Sequence, residues 1–366
     1  MPTLPDDNDR LRGYGPPLPL DPFEDTVPME DPAVVEARAK AEAERAARLA
    51  ALGEQRVGAF LEDAMRRMEA RANGSELPVP VPWKGVADAL GGGLWPGLFT
   101  VVGNTGSGKT QFALQLALEA AKASVPVLYI GLELGPVDLS ARLIGLLAGI
   151  KWSGLYLGEP AAVSGLRTRH ASAVEALRAL PFHLEFGGPF GWSYDQLESK
   201  VRTLREAYPE PNGKGSRPML VVLDFLQLVA STEGEDIRER IARASYAARA
   251  VARSMDVAVV LVSSTARENY AALDGAKDGK DGKGQVLGEG STRRLVGLGK
   301  ESGEIEYACD AALVLASEPW TDGKAPPAFW LAVAKGRAVT PCWVRLNFDG
   351  SAFSEPIPPT RGRAQL

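Results

Sequence analysis

Cysteine and histidine are scarce in this chain, with two of each in 366 residues. Cys309 and Cys342 are isolated thiols. They build neither a disulfide framework nor a zinc-binding spacing, and they read as small buried hydrophobes. His170 and His183 have no neighbouring pattern that would make either a metal ligand or a general base. There is also no excess of positive charge: 41 Lys and Arg stand against 46 Asp and Glu, a net charge of −5. The chain as a whole is therefore not a basic nucleic-acid coat. A DNA contact would have to come from a local patch, or from a ring that gathers basic loops at its centre. No apolar run reaches the roughly 18 residues that cross a bilayer. The start, MPTLPDDNDR, lacks the basic and apolar stretches of a signal peptide. These absences predict a cytoplasmic protein with no membrane partner.

What is present divides the chain into stretches of different composition. Residues 1–31 are rich in Pro and Asp, cannot bury enough surface to fold alone, and read as a disordered arm. From Pro32 the composition turns to Ala, Glu, Arg and Leu. Pro32 suits a first helical position, and Glu36/Lys40 and Glu44/Arg48 are pairs four apart. Residues 32–72 are expected to form a helical extension, as one helix or as two divided near Gly53 and Gly58. Val57, Phe60, Leu61, Ala64, Met65 and Met68 make one apolar stripe, which could pack on its own domain or on a neighbouring subunit. NGSELPVPVP, residues 73–82, reads as a linker. Residues 83–355 then alternate apolar runs with helical patterns. The expected order is strand 98–103, helix 109–122, strand 126–132, helix 137–149, helices to about 207, strand 219–224, helix 237–255 and strand 257–263. Strand-like pieces at 310–316, 328–335 and 341–348 follow, the last two as a hairpin. This order predicts an α/β core with a mostly parallel sheet covered on both faces. The tail 356–366 is again Pro-rich and is expected to be disordered.

The phosphate chemistry sits in GNTGSGKT: Gly103, Asn104, Thr105, Gly106, Ser107, Gly108, Lys109 and Thr110. Glycines let such a loop curl so that backbone N–H groups face the phosphates. The helix that follows offers its positive end to the anion. Lys109 is placed to reach the β and γ phosphates of ATP, and the Thr110 hydroxyl to ligate Mg²⁺. An apolar strand, LFTVV, precedes the loop and an amphipathic helix follows, which is the context the motif needs. Asp224 ends the run from Met219 to Leu223 and is the second candidate Mg²⁺ ligand. Glu133 lies just past VLYIG, at the sheet edge where open α/β sheets collect ligands. It is the candidate to orient or activate water, with an ordinary helix-start acid as the alternative.

Five segments in order resemble the C-terminal motor domain of DnaB-type replicative helicases within the RecA superfamily. They are LGGGLWPGLFTVVGNTGSGKT, GLELGPVDLSARL, VVLDFLQLV (with Asp224, Gln227 and Leu228), GKESGEIEYACDAALVL and AVAKGRAVTPCWVRLNFDG. The resemblance covers about Val81 to Glu355. It implies a hexameric ring with ATP between subunits, single-stranded DNA in the channel, and a loader or other replication or accessory protein as partner. It implies that Lys335 and Arg337 are fingers completing a neighbour's site, and neighbouring positions two apart on a strand could aim both at one ligand. It further implies that Lys300, Glu301 and Gly303 grip the DNA backbone.

Three departures stand out. Ser264 occupies the place of the family's glutamine after strand 257–263, although Arg267 matches the family's arginine. The loop 268–300 carries six basic against five acidic residues, so it is not an obvious DNA clamp. Residues 1–80 are too few and too polar for the family's N-terminal collar domain. The expected function is an ATP-hydrolysing DnaB-like ring motor on single-stranded DNA, of phage, plasmid or accessory type. The alternative is a KaiC-like or RadA-like ATPase switch that assembles as a ring and recruits partners without unwinding.

Overall fold

The computed structural model describes residues 31–187, 194–209, 217–224, 236–264, 308–317, 329–336 and 339–356. Two units are distinguished, residues 1–69 and 70–366.

In the first, α1 (Pro32–Glu54) starts where Asp31 accepts a hydrogen bond from the Ala33 N–H, with Pro32 at the first helical position. That placement costs nothing, because the N–H that proline lacks would have had no helical partner. The chain breaks after Glu54 and α2 (Val57–Ala72) begins, so the extension is two helices. Val57, Phe60, Leu61, Met65 and Met68 are all exposed, each by at least 47%.

The second unit is built on a nine-stranded sheet. Its strands are β1 (Gly97–Gly103), β2 (Val127–Gly131), β3 (Phe182–Phe186), β4 (Leu220–Asp224), β5 (Ala258–Ser264), β6 (Ala311–Ser317), β7 (Phe329–Gly336), β8 (Cys342–Phe348) and β9 (Phe353–Ser354). Their order across the sheet is β3-β2-β4-β5-β1-β6-β7-β8-β9. The six strands from β3 to β6 are parallel, and β7, β8 and β9 continue the sheet antiparallel, with β7 and β8 as the expected hairpin.

Alternate residues of the central strands feed two separate cores, as the two-residue strand period requires. On one face Val127, Tyr129, Leu220, Val222, Val260 and Val262 pack with α4 (Lys109–Lys122) and α5 (Pro136–Ala148). On the other, Leu128, Ile130, Val221, Leu223, Val259 and Leu261 pack with α9 (Tyr194–Ala207) and α10 (Ile237–Ser254). α10 starts on a capping box: Asp236 accepts from the Glu239 N–H while the Glu239 carboxylate accepts from the Asp236 N–H. Short helices fill the remaining connections: α3 (Lys84–Ala89), α6 (Trp152–Tyr156), α7 (Pro160–Gly165) and α8 (Ala171–Ala179).

One expectation is corrected. The pattern predicts only helices between residue 150 and about 207, yet β3 lies within that stretch. FHLEF is an edge strand of intermediate burial with an exposed histidine. Its mixed polarity gives no run of apolar residues to read.

Trp83 ties the two ends of this unit together. Its ring stacks on Phe112 with centroids 4.2 Å apart, meets Phe353 edge-on, and donates from Nε1 to the Phe353 carbonyl at 3.1 Å. Trp83→Ala is expected to lose about 3–5 kcal/mol of unfolding free energy, measured by chemical denaturation. A loss well below that range would mean the cavity collapses and that this tie contributes little.

Candidate functional site

β1 is buried along its whole length and delivers the chain to the candidate phosphate loop, residues 103–110, at the C-terminal edge of the parallel strands. Gly103 leaves no room for a side chain: a Cβ there would lie 2.6 Å from the Leu315 carbonyl oxygen and 2.7 Å from Ser107 Oγ. Gly108 caps α4 in the left-handed region, at φ 83°, and a Cβ there would meet the Phe353 ring at 2.9 Å. The loop is therefore wedged between β6 on one side and an aromatic floor on the other.

Lys109 is the first residue of α4 and is 9% exposed. Its Nζ donates to the Asn104 carbonyl at 2.8 Å, closing the loop on itself. Burial pulls its pKa down to about 8, against the opposing pull of Asp224 and Glu133. Asp224, at the end of β4, is 3% exposed. Its Oδ2 accepts a 2.6 Å hydrogen bond from Tyr129 on β2. Its Oδ1 is buried with no hydrogen-bond partner among the described residues, and so is Ser107 Oγ. Burial raises the Asp224 pKa, while the hydrogen bond from Tyr129, the neighbouring Thr110 hydroxyl and the charge of Lys109 oppose the rise. Glu133 is exposed, two residues past β2.

These groups share one cavity of about 450 Å³, lined by Thr105, Gly106, Gly108, Lys109, Thr110, Glu133 and Asp224 together with Arg142, Trp152, Ser264 and Phe348. Its size suits a small organic ligand. The oxygens of Thr110 and Asp224 are the hard donors that Mg²⁺ prefers; the Thr110 hydroxyl lies beside the Asp224 carboxylate, whose Oδ1 accepts no well-aligned hydrogen bond among the described residues. Mg²⁺ therefore fits the residues present.

Two wall residues escape a reading of the sequence. Arg142 lies 3.7 Å above the Trp152 ring, donates to Asp138 at 2.6 Å and to Gln111 at 3.3 Å. A signal exists for Arg142, nine residues past Glu133 and four past Asp138 on α5, but Trp152 follows an irregular turn and has none. Ser264 ends β5 directly opposite Gly103 and lines the cavity, so a short hydroxyl stands beside the phosphate loop.

Lys335 is not in this cavity. β7 runs against the parallel strands, and Lys335 pairs with Ala312 near the start of β6, whereas Gly103 pairs with Leu315. At about 3.3 Å per residue this puts Lys335 roughly 10 Å down the sheet from the phosphate loop. Arg337, Lys300, Glu301, Gly303, Gln227, Leu228, Arg267 and the loop 268–300 lie outside the described residues.

The family model for the DnaB-like helicase C-terminal domain matches residues 85–354, which spans the sheet, the loop and the aromatic floor. The chain belongs to this family. The DnaB-like domain is 25% identical over 162 residues to a probable plasmid replicative DNA helicase of Chlamydia trachomatis serovar L2, and equally to one from Chlamydia trachomatis. The aligned part is 44% of this chain and 33% of those proteins, so the chain spans about a third of the curated relatives it matches. Among solved structures, an isolated ATPase domain superposes with a TM-score of 0.67 at 18% identity, covering 81% of this chain and 99% of that one. A DnaB-like replicative helicase described with its primase interactions gives a TM-score of 0.60 at 20% identity, covering 78% and 64%. Both share the fold of the DnaB-like domain. Among the described residues no helix is long and apolar enough to cross a membrane.

Proposed function

We propose that this chain is the ATP-hydrolysing motor of a DnaB-like ring that translocates on single-stranded DNA. The observation that carries the reading is the convergence of Lys109, Thr110, Asp224 and Glu133 on one cavity at the C-terminal edge of the parallel strands. Lys109 and the loop amides would hold the triphosphate, and its ammonium would meet the charge that develops on the transferring phosphoryl group. Thr110 and Asp224 would hold Mg²⁺, which supplies charge neutralisation when bound. Glu133, exposed at the cavity wall, would orient the attacking water.

The separation of Lys335 from this cavity supports a site shared between subunits, because a cation lower on the sheet serves its own loop poorly. Lys335 and Arg337 would then be fingers acting on a neighbour in a homo-oligomeric, hexameric ring. Lys300, Glu301 and Gly303 would grip the DNA backbone without reading sequence, and a loader or other replication protein would place the ring.

One observation favours a second reading. Ser264 at the cavity wall is shorter than the glutamine that would reach from the γ phosphate toward the DNA-facing loop. With the acidic net charge of −5, this favours a KaiC-like switch that uses ATP to order a ring and recruit proteins. ATPase rates with and without single-stranded DNA, at low and high salt, separate the two. The motor reading expects strong stimulation that fades as salt rises, because phosphate contacts release counterions. A rate indifferent to DNA at both salts would leave the switch.

A further inference from the structure

The buried hydroxyl of Tyr129 is a chemical group at this site that neither the loop motif nor the paired acids account for. Tyr129 lies in VLYIG, whose other side chains are aliphatic or absent, and it is fully buried. A phenol there has to find a partner, since an unpaired buried hydroxyl is costly. β2 and β4 are neighbours in register, with Tyr129 beside Val222 and Gly131 beside Asp224. Tyr129 and Asp224 thus emerge on the same face of adjacent strands, two residues out of step, and the phenol spans that offset to reach Oδ2 at 2.6 Å. The ring is held by a stack on Phe182 of β3, at 6.2 Å between centroids and 22° between planes. Asp224 consequently has one oxygen committed and the other, Oδ1, buried and unpartnered among the described residues.

We propose that Tyr129 is a positioning residue for the divalent cation: it ties down one carboxylate oxygen of Asp224 so that a single oxygen, Oδ1, faces the Mg²⁺ of the bound nucleotide. A carboxylate free to rotate could present either oxygen or both. Held at Oδ2, it presents one, in one direction, before the metal arrives. Partners of metal ligands that act this way are worth about 10–100-fold in metal affinity or activity. This inference rests on the reading of Asp224 as a Mg²⁺ ligand.

The test measures binding of a fluorescent, non-hydrolysable ATP analogue to the full chain, in EDTA and across a Mg²⁺ titration, for wild type, Tyr129→Phe and Asp224→Asn. Tyr129→Phe is expected to leave affinity in EDTA unchanged and to raise the Mg²⁺ concentration at half-effect about tenfold or more. It is also expected to add nothing further in the Asp224→Asn background, because it acts through that carboxylate. An unchanged or lowered Mg²⁺ midpoint in folded Tyr129→Phe overturns the proposal, as does a loss of affinity in EDTA alone, which would mark a packing role. If Asp224→Asn also leaves the Mg²⁺ curve unchanged, the metal-ligand reading itself falls. If Asp224→Asn moves the curve and Tyr129→Phe does not, only the role of Tyr129 falls. Should Tyr129→Phe fail to fold, 4-fluorophenylalanine at position 129 keeps the shape without the donor and takes the same test.

Discussion

Lys109→Ala is expected to slow ATP hydrolysis by at least about a hundredfold, the scale of losing one preorganised group that meets developing charge. Phosphate release measures this, and a normal rate would overturn the assignment of the site. Lys109 is nearly enclosed, and its ammonium donates to the Asn104 carbonyl. A triphosphate offers it charged oxygens instead, which is a stronger partner than a neutral carbonyl. Removing the side chain takes away both interactions but also takes a poorly solvated cation out of the fold. The variant is therefore expected to unfold no earlier than the wild type. The sign of the pH dependence follows from the same burial. Lys109 is charged below about 8 and neutral above it. Affinity for the nucleotide is thus full below that value and weakens as pH rises through it, by up to about tenfold per pH unit, and this slope disappears in Lys109→Ala.

Arg337→Ala is expected to lose about 10³–10⁵ in turnover, the range for a cation supplied to phosphoryl transfer by a neighbouring subunit. A shared site has a sharper consequence in mixtures. A subunit carrying Lys109→Ala and one carrying Arg337→Ala are each inactive alone. Where they adjoin in one order, the intact phosphate loop of the Arg337→Ala subunit faces the intact Arg337 of the other. Mixing the two purified variants should restore part of the activity. No recovery, with mixed oligomers verified by mass spectrometry, would sink the shared site. The sheet supports the shared arrangement, since β7 carries Lys335 away from its own cavity toward the opposite edge.

The parallel sheet is legible in the sequence because its strands are buried on both faces: VVLD and AVVLVS are nearly continuous apolar runs with no turn residues inside them. The loop GNTGSGKT is legible because its glycines, Lys109 and Thr110 stand at fixed spacing between an apolar run and a helical pattern, and the structure sets it between β1 and α4. Other features depend on contacts that no local pattern encodes. β3 is an edge strand whose His183 and Glu185 interrupt its apolar residues, so it resembles the helices around it. The carboxylate of Glu355 reaches the Gly85 N–H across 270 positions, and Gln115 bridges to Phe353 from the far side of the loop. Tyr129 is visible as a lone hydroxyl in an aliphatic strand, but its role emerges only from the two-residue offset between β2 and β4. Nothing in the sequence places Lys335 at the opposite edge of the sheet; that follows from the direction in which β7 runs.

The aromatic floor beneath Gly108 has a consequence for how the protein is made. Trp83, Phe112 and Gly108 are translated before Phe353, whose ring backs the loop and whose carbonyl receives Trp83 from 270 positions earlier in the chain. On the ribosome, the loop, strand β1 and helix α4 emerge long before the piece that sets the loop's final curvature. Contacts so far apart in the chain close late. The nascent chain thus lacks the aromatic backing of this loop until Phe353 has left the exit tunnel, long after the loop itself has emerged.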